Sequence, residues 1–163
     1  MQDSQKHTIY KLVIKGIGSM KLVIQRVTSS KVSVEGKTVG EIGKGYMILC
    51  GLKKGDSKAQ ALRLAEKVLN LRVMPDEEMK MNKSIVDAKG GILAISQFTL
   101  YSEIQGRRPG FSEAEEPEKA RQIFEVFVEE LRKSGLNIQT GKFGHYMSIE
   151  MVNDGPVTII LEG

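Results

Sequence analysis

Two six-residue segments, Ser96-Gln97-Phe98-Thr99-Leu100-Tyr101 and Asn153-Asp154-Gly155-Pro156-Val157-Thr158, set hydroxyls, amides and carbonyls where the hydrophobic pattern calls for strands. Groups of this kind position a water or bind a developing oxyanion, but a hydroxyl needs a neighbouring base to act as a nucleophile. Bases are scarce. The chain has one cysteine, Cys50, and two histidines, His7 and His145. Any chemistry therefore rests on backbone groups, hydroxyls and the substrate itself.

If the first segment is strand throughout, Gln97 and Thr99 share a face with Ile95, and Ser96, Phe98 and Leu100 share the other. Two readings fit: a solvent-facing strand end, which the hydrophobic-in, polar-out rule favours, or the floor of a pocket at a strand terminus. Asn153-Asp154-Gly155-Pro156 is a good turn sequence. Gly155-Pro156 could also be cis, which would aim two carbonyls in one fixed direction.

Other candidates are weaker. His145 follows Gly144 with no evident acid partner, so it reads as exposed or structural rather than as a general base. Glu150 and Asp154 have no evident partner either. No set of His, Cys or carboxylates has metal-ligand spacing, so neither a metal nor another cofactor is expected. Gly43-Lys44-Gly45 lacks the spacing of a phosphate loop. Arg26, Arg107, Arg108 and Lys142 could meet phosphates, although Glu113, Glu115 and Glu116 dilute the charge of their loop.

Several elements must carry these groups. Lys21–Val27 and Lys31–Glu35 read as strands, Thr38–Ile42 as a return strand, and the run from Tyr46 to Leu52 as a buried strand containing Cys50, which together suggest a β-meander. Ser57 and Gln60 make a capping box ahead of Ala61, Leu64, Ala65, Val68 and Leu69, predicting a helix over Ser57–Leu71. A second helix follows Pro117, with Ala120, Ile123, Phe124, Phe127, Val128 and Leu131 on one face and Gly135 as its stop. Gly91–Tyr101 reads as one long strand leading into a polar loop, Glu103–Glu116. Tyr146–Val152 and Val157–Leu161 read as two strands joined through Asn153–Pro156. The fold class expected is α/β (α+β): layered β-sheets, β/β/α, with two amphipathic helices packed on one face.

Size and composition agree with a single domain, since 163 residues at 40% hydrophobic content can bury a core. Residues 1–19 read as an added leader, because Gly18-Ser19-Met20 resembles a cloning junction before a second start methionine. The domain is then 20–163. Within the leader, Ile9, Lys11, Val13 and Lys15 alternate as an edge strand would. The net charge of +4 owes part of its excess to Lys6, Lys11 and Lys15, so the body is only mildly basic. A lone cysteine in an apolar run forms no internal disulfide, and no stretch has the length of a membrane span; a cytoplasmic location is expected.

Gln25-Arg26-Val27, Ser96–Tyr101, Arg108-Pro109 with Phe111, Thr140-Gly141-Lys142-Phe143 and Asn153–Thr158, taken in order, resemble the D-aminoacyl-tRNA deacylase family from Met20 to the C-terminus. The resemblance implies hydrolysis of the ester between a D-amino acid and the 3′-terminal adenosine of tRNA by a homodimer. Ser96, Gln97, Phe98 and Thr99 would line the catalytic pocket. Gly155 and Pro156 would form a cis pair that enters the partner's pocket and rejects L-amino acids, with Arg26 holding the pair and Asn153 supporting it. Glycyl-tRNA, having no side chain to reject, should also be cleaved. Backbone donors near Phe98 and Thr99, a positioned water and the substrate's 2′-hydroxyl would suffice for an already activated ester. Thr99 as nucleophile is the rival role. His145 and Tyr146 stand where the family pattern fixes nothing.

Two other functional classes remain open. One is a non-catalytic tRNA or single-stranded nucleic-acid binding module using Arg107, Arg108 and Lys142. It lacks an aromatic stacking platform if most Phe and Tyr residues are in apolar runs. The other is a small-molecule ester hydrolase.

Overall fold

The computed structural model describes residues 10–13 and 19–163. A short strand β1 (Tyr10–Val13) falls within the alternating segment expected to be a leader, of which Ile9 and Lys15 lie outside the described residues. The next two expected strands are one, β2 (Lys21–Val34). Exposed Thr28 and Ser29 mark a bend rather than an end. Val27 and Val32 sit in the same apolar cluster although five residues apart, which alternation alone forbids and an irregularity between them permits.

Strands β3 (Lys37–Ile42) and β4 (Gly45–Gly51) do not form a meander. β3 runs antiparallel to the second half of β2, Ser30–Val34, and β4 to the first half, Lys21–Val27. Helix α1 (Lys58–Asn70) begins at the expected capping box, with Ser57 N donating to Gln60 Oε1 at 2.6 Å and Gln60 N to Ser57 Oγ at 3.4 Å. A small hairpin, β5 (Met74–Pro75) with β6 (Met81–Lys83), and a single-turn helix α2 (Ile85–Ala88) follow. The sequence pattern signals none of the three, because each is short and buries few side chains.

Strand β7 (Gly91–Ser96) stops five residues earlier than expected, and Phe98–Tyr101 forms a 3₁₀ turn. The polar loop contains a hairpin, β8 (Glu103–Gln105) and β9 (Arg108–Gly110), before helix α3 (Pro117–Arg132). After β10 (Ile138–Thr140), the two expected C-terminal strands are one, β11 (Ser148–Glu162). Its register on β2 shifts on either side of Asn153, so Asp154-Gly155-Pro156 is an outward irregularity within a strand, not a turn between strands.

These strands make one seven-stranded sheet in the order β1-β11-β2-β4-β7-β10, with β3 also on β2. The sheet curls almost to closure. On β3, Gly40 approaches β10 so closely that a Cβ would stand 2.6 Å from the Thr140 carbonyl oxygen, which requires glycine there. Val27, Val32, Ile42, Met47, Leu93 and Ile95 fill the inside of the curl, with Met147 and Ile149 against them. Leu22, Ile24, Tyr46, Ile48, Ile92 and Ala94 face the other way, packed with the apolar faces of α1 and α3. The expected layers are thus two halves of one sheet, and the two long helices cover one face of it.

Register defines two ends. At the first, Ser96 pairs with Cys50 and Cys50 with Leu22. At the second, Gly91 pairs with Gly45 and Gly45 with Val27. β2 and β11 both bend at the second end and run back, so that Ser33 pairs with Ser148 near the first.

Candidate active site

The first end carries the segment from Ser96 to Tyr101. Its turn lies flat on β4 because Gly51 leaves room: a Cβ at Gly51 would stand 2.7 Å from Leu100 Cβ. Gln97 N donates to Cys50 O at 2.7 Å, which pulls the chain off the strand path. Lys21 Nζ lies 3.5 Å from Leu100 O and 4.8 Å from the centre of the Tyr101 ring, and Tyr101 OH is 3.0 Å from Ser19 Oγ. Burial pushes the Tyr101 phenol up to about 12, with the Ser19 hydrogen bond opposing.

Within the turn, Leu100 N donates to Gln97 O at 3.3 Å. The N–H groups of Phe98 and Thr99 precede that first bond, so the turn itself offers them no acceptor. Both residues are exposed. Gln97 Nε2 donates to Thr99 Oγ1, so the two side chains meet, though through the turn rather than by strand alternation. Two backbone donors, a hydroxyl and an amide therefore stand together at an open sheet end. Such a set can receive the negative oxygen of a tetrahedral acyl intermediate and orient water.

Two aromatic rings flank this turn. Phe98, 59% exposed, meets Phe111, 37% exposed, edge to face with centroids 5.0 Å apart. Phe111 is fixed by Ala114 N donating to its carbonyl and by the anchoring of Glu113 and Glu115 on Lys54 and Leu52. Tyr146 is also bare. Phe98, Phe111 and Tyr146 are three exposed exceptions to the expectation that most Phe and Tyr residues lie in apolar runs, since solvent exposure in loops leaves no periodic trace.

The second end carries Asp154, Gly155 and Pro156, and the Gly155-Pro156 bond is cis. Arg26 is only 7% exposed and grips this segment: Nε lies 3.2 Å from Asp154 Oδ2 and 3.3 Å from Asp154 O, while Nη1 donates to Val73 O at 2.8 Å. Arg26 is therefore not free for a phosphate. Asp154 is not unpaired, and neither is Glu150, which pairs with Lys31 at 3.4 Å. Nearby, Thr158 Oγ1 donates to Gln25 Oε1 at 2.6 Å. Asn153 is exposed opposite Val27.

The fold does not bring the two segments together. Gly155 and Pro156 lie level with Arg26 and hence with Tyr46, whereas Ser96 lies level with Cys50. Four residues along a strand separate the levels by about 13 Å, before the distance across the sheet is added. Arg107 and Arg108 are at the exposed tip of the β8–β9 hairpin, Lys142 is exposed, and His145 Nδ1 donates to Phe143 O at 3.1 Å as part of an exposed loop. Among the described residues no three His, Cys, Asp or Glu side chains are grouped to hold a metal ion, and no helix is long and apolar enough to cross a membrane.

Comparison with known proteins defines the class. Residues 23–162 match the family described as D-Tyr-tRNA(Tyr) deacylase. The chain is 51% identical over 144 residues to the D-aminoacyl-tRNA deacylase of Symbiobacterium thermophilum, covering 88% of this chain and 95% of that one. It is 53% identical to the enzyme of the same description from Syntrophomonas wolfei, covering 88% and 97%. Among solved structures, a c-Myc DNA unwinding element binding protein superposes with TM-score 0.83 at 42% identity, covering 88% and 99%. A probable eukaryotic D-amino acid tRNA deacylase shares the fold, with TM-score 0.79 at 15% identity over 89% and 100%. The chain belongs to the D-Tyr-tRNA(Tyr) deacylase family, a family of hydrolases.

Proposed function

We propose that this protein hydrolyses the ester joining a D-amino acid to the terminal ribose of tRNA, accepts glycyl-tRNA as well, and works in the cytoplasm as a homodimer. Family membership supports the reaction. The observation that carries the two-chain arrangement is the placement of the two polar segments at opposite ends of one curled sheet. A site needing both must draw them from two copies.

In this reading the ester carbonyl oxygen points at the N–H groups of Phe98 and Thr99. Water adds to the carbonyl carbon, and the oxyanion that develops is held by those donors. The ester C–O bond then breaks, and the ribose oxygen leaves as a hydroxyl with a proton passed through the neighbouring 2′-hydroxyl or solvent. Gln97 and Ser96 fix the mouth of the turn, and the Thr99 hydroxyl orients rather than attacks, because among the described residues no base stands beside it. No cofactor is needed.

Gly155 and Pro156 of the second protomer stand at the pocket mouth, where an L side chain would collide and a D side chain or hydrogen would not. Arg26 keeps that segment in place by bonding Asp154 while itself tied to Val73 O, and Asn153 begins the irregular stretch. Steric exclusion of this kind rejects more strongly than added contacts attract.

Release of amino acid from matched D- and L-tyrosyl-tRNA by catalytic amounts of protein tests the reading. Turnover of the D-ester alone is expected, and loss of neither ester would overturn it. The name of the DNA unwinding element binding relative favours a second reading, a nucleic-acid binding module. Salt-sensitive nucleic-acid binding without turnover would select it.

A further inference from the structure

We infer that the loop joining β10 to β11 holds the unpaired nucleotides preceding the terminal adenosine, with Tyr146 stacking on a base and Lys142 meeting a phosphate. This rests on the deacylase reading and assigns the substrate a second foothold.

The loop leaves β10 alongside β7, running parallel to it, so it arrives at the sheet end where Ser96–Thr99 lies. Gly141 marks the passage: a Cβ there would be 3.2 Å from Ile95 Cδ1, one residue before Ser96, and 2.4 Å from Met147 Sδ. Met147 thereby returns to the inside of the curl. Between these two anchors the chain makes a tight turn, with His145 N donating to Lys142 O at 3.2 Å and Gly144 at φ +76°, which favours glycine. Phe143 packs on Phe124 of α3 with ring centroids 6.1 Å apart. Tyr146 is thus held out by its fixed neighbours, and it is 96% exposed.

Tyrosine joins a flat apolar ring to a polar tip, a side chain suited to a surface that meets a partner. Lys142, exposed on the same loop, makes no ion pair among the described residues. An exposed aromatic ring and an exposed cation carried on one short loop, at the mouth of a site that takes the end of a nucleic-acid strand, fit the pattern by which single strands are held: bases stack and the backbone follows the charge.

The test compares Tyr146→Ala, Tyr146→Trp and Lys142→Ala with the parent protein on D-tyrosyl-tRNA and on D-tyrosyl-adenosine, which lacks the preceding nucleotides. Tyr146→Ala should raise KM for the tRNA about tenfold, the loss typical of one stacked base. It should leave kcat and cleavage of the adenosine ester within twofold, and Tyr146→Trp should restore the KM. Lys142→Ala should weaken the salt dependence of the tRNA KM. An unchanged KM, equal losses on both substrates, or a changed sedimentation coefficient pointing to a contact between copies would overturn the inference. Binding of uncharged tRNA with and without its unpaired 3′ end reads the foothold without catalysis. If the parent cleaves neither ester, the deacylase reading fails alone. The foothold stands if removing the 3′ end weakens binding to the parent and not to Tyr146→Ala, and falls if the two proteins respond alike.

Discussion

The two ends of the curled sheet are built on opposite principles. At the Ser96–Thr99 end the proposed working groups are backbone donors and exposed side chains on a turn, and the rings around them are open to solvent. At the Gly155-Pro156 end the exposed segment is locked from beneath by a buried guanidinium that bonds one strand irregularity and one helix-exit carbonyl together. The Gly155-Pro156 end is a fixed shape that, in the proposed reading, meets a ligand held by another copy. In the proposed reading, reaction and selection can therefore be damaged separately.

Arg26→Ala should give the largest effect. It strands the Asp154 carboxylate and two carbonyls and opens a void, so urea unfolding should report a loss of roughly 3 kcal/mol, as for breaking a largely buried pair. Rejection of L-tyrosyl-tRNA should fall with it, whereas Thr99→Ala should leave stability within about 0.5 kcal/mol of the parent. Equal effects of the two substitutions would break the contrast between the ends. The contrast sharpens with a single-atom change: replacing the Thr99 backbone N–H by an ester oxygen through semisynthesis should slow D-ester turnover about 100-fold, the cost of one oxyanion donor. Thr99→Ala should slow it less than about threefold. A larger loss for the alanine variant would return the role to the hydroxyl.

Gly51→Ala should have a moderate effect, since its Cβ would press Leu100 and lift the turn from β4. Turnover is expected to drop roughly tenfold with KM for tRNA little changed, and a normal kcat would show that the turn's seat is unimportant. The smallest effect concerns alkali. The Tyr101 phenol is pushed up to about 12 by burial, above its ordinary value of 10.0, so the folded state holds this proton more tightly than the unfolded chain. Its contribution to stability is complete below about pH 10 and is lost as pH rises through about 12. Tyr101→Phe should flatten the decline of urea midpoint over that window, and an unaltered decline would assign it to other groups.

Local signals were legible in the sequence where the cause is local. Ser57 with Gln60 announces α1, and Pro117 with Gly135 at φ +78° frames α3, because capping is settled within one helical turn. The end of β7 was not legible. Ile95, Phe98 and Leu100 continue a plausible strand pattern, and only Gly51 and the Cys50 carbonyl, distant in sequence, divert the chain. The Arg26–Asp154 grip spans 128 positions and leaves no spacing to read. Bends in β2 and β11 read as breaks for a related reason: polar residues in mid-strand look the same whether the chain turns back or merely changes face. The two polar segments were legible as the chemically interesting ones, but their separation to opposite ends became visible only with strand register.

Cys50 offers a way to time the whole molecule. It is the one cysteine in the chain, 2% exposed within the strand that both ends share, and burial pushes its thiol far above the ordinary range. The folded protein presents almost no thiolate to a reagent. Alkylation should therefore wait for β4 to leave the sheet, so its rate serves as a built-in clock for global opening, readable by mass spectrometry while tRNA is bound or absent.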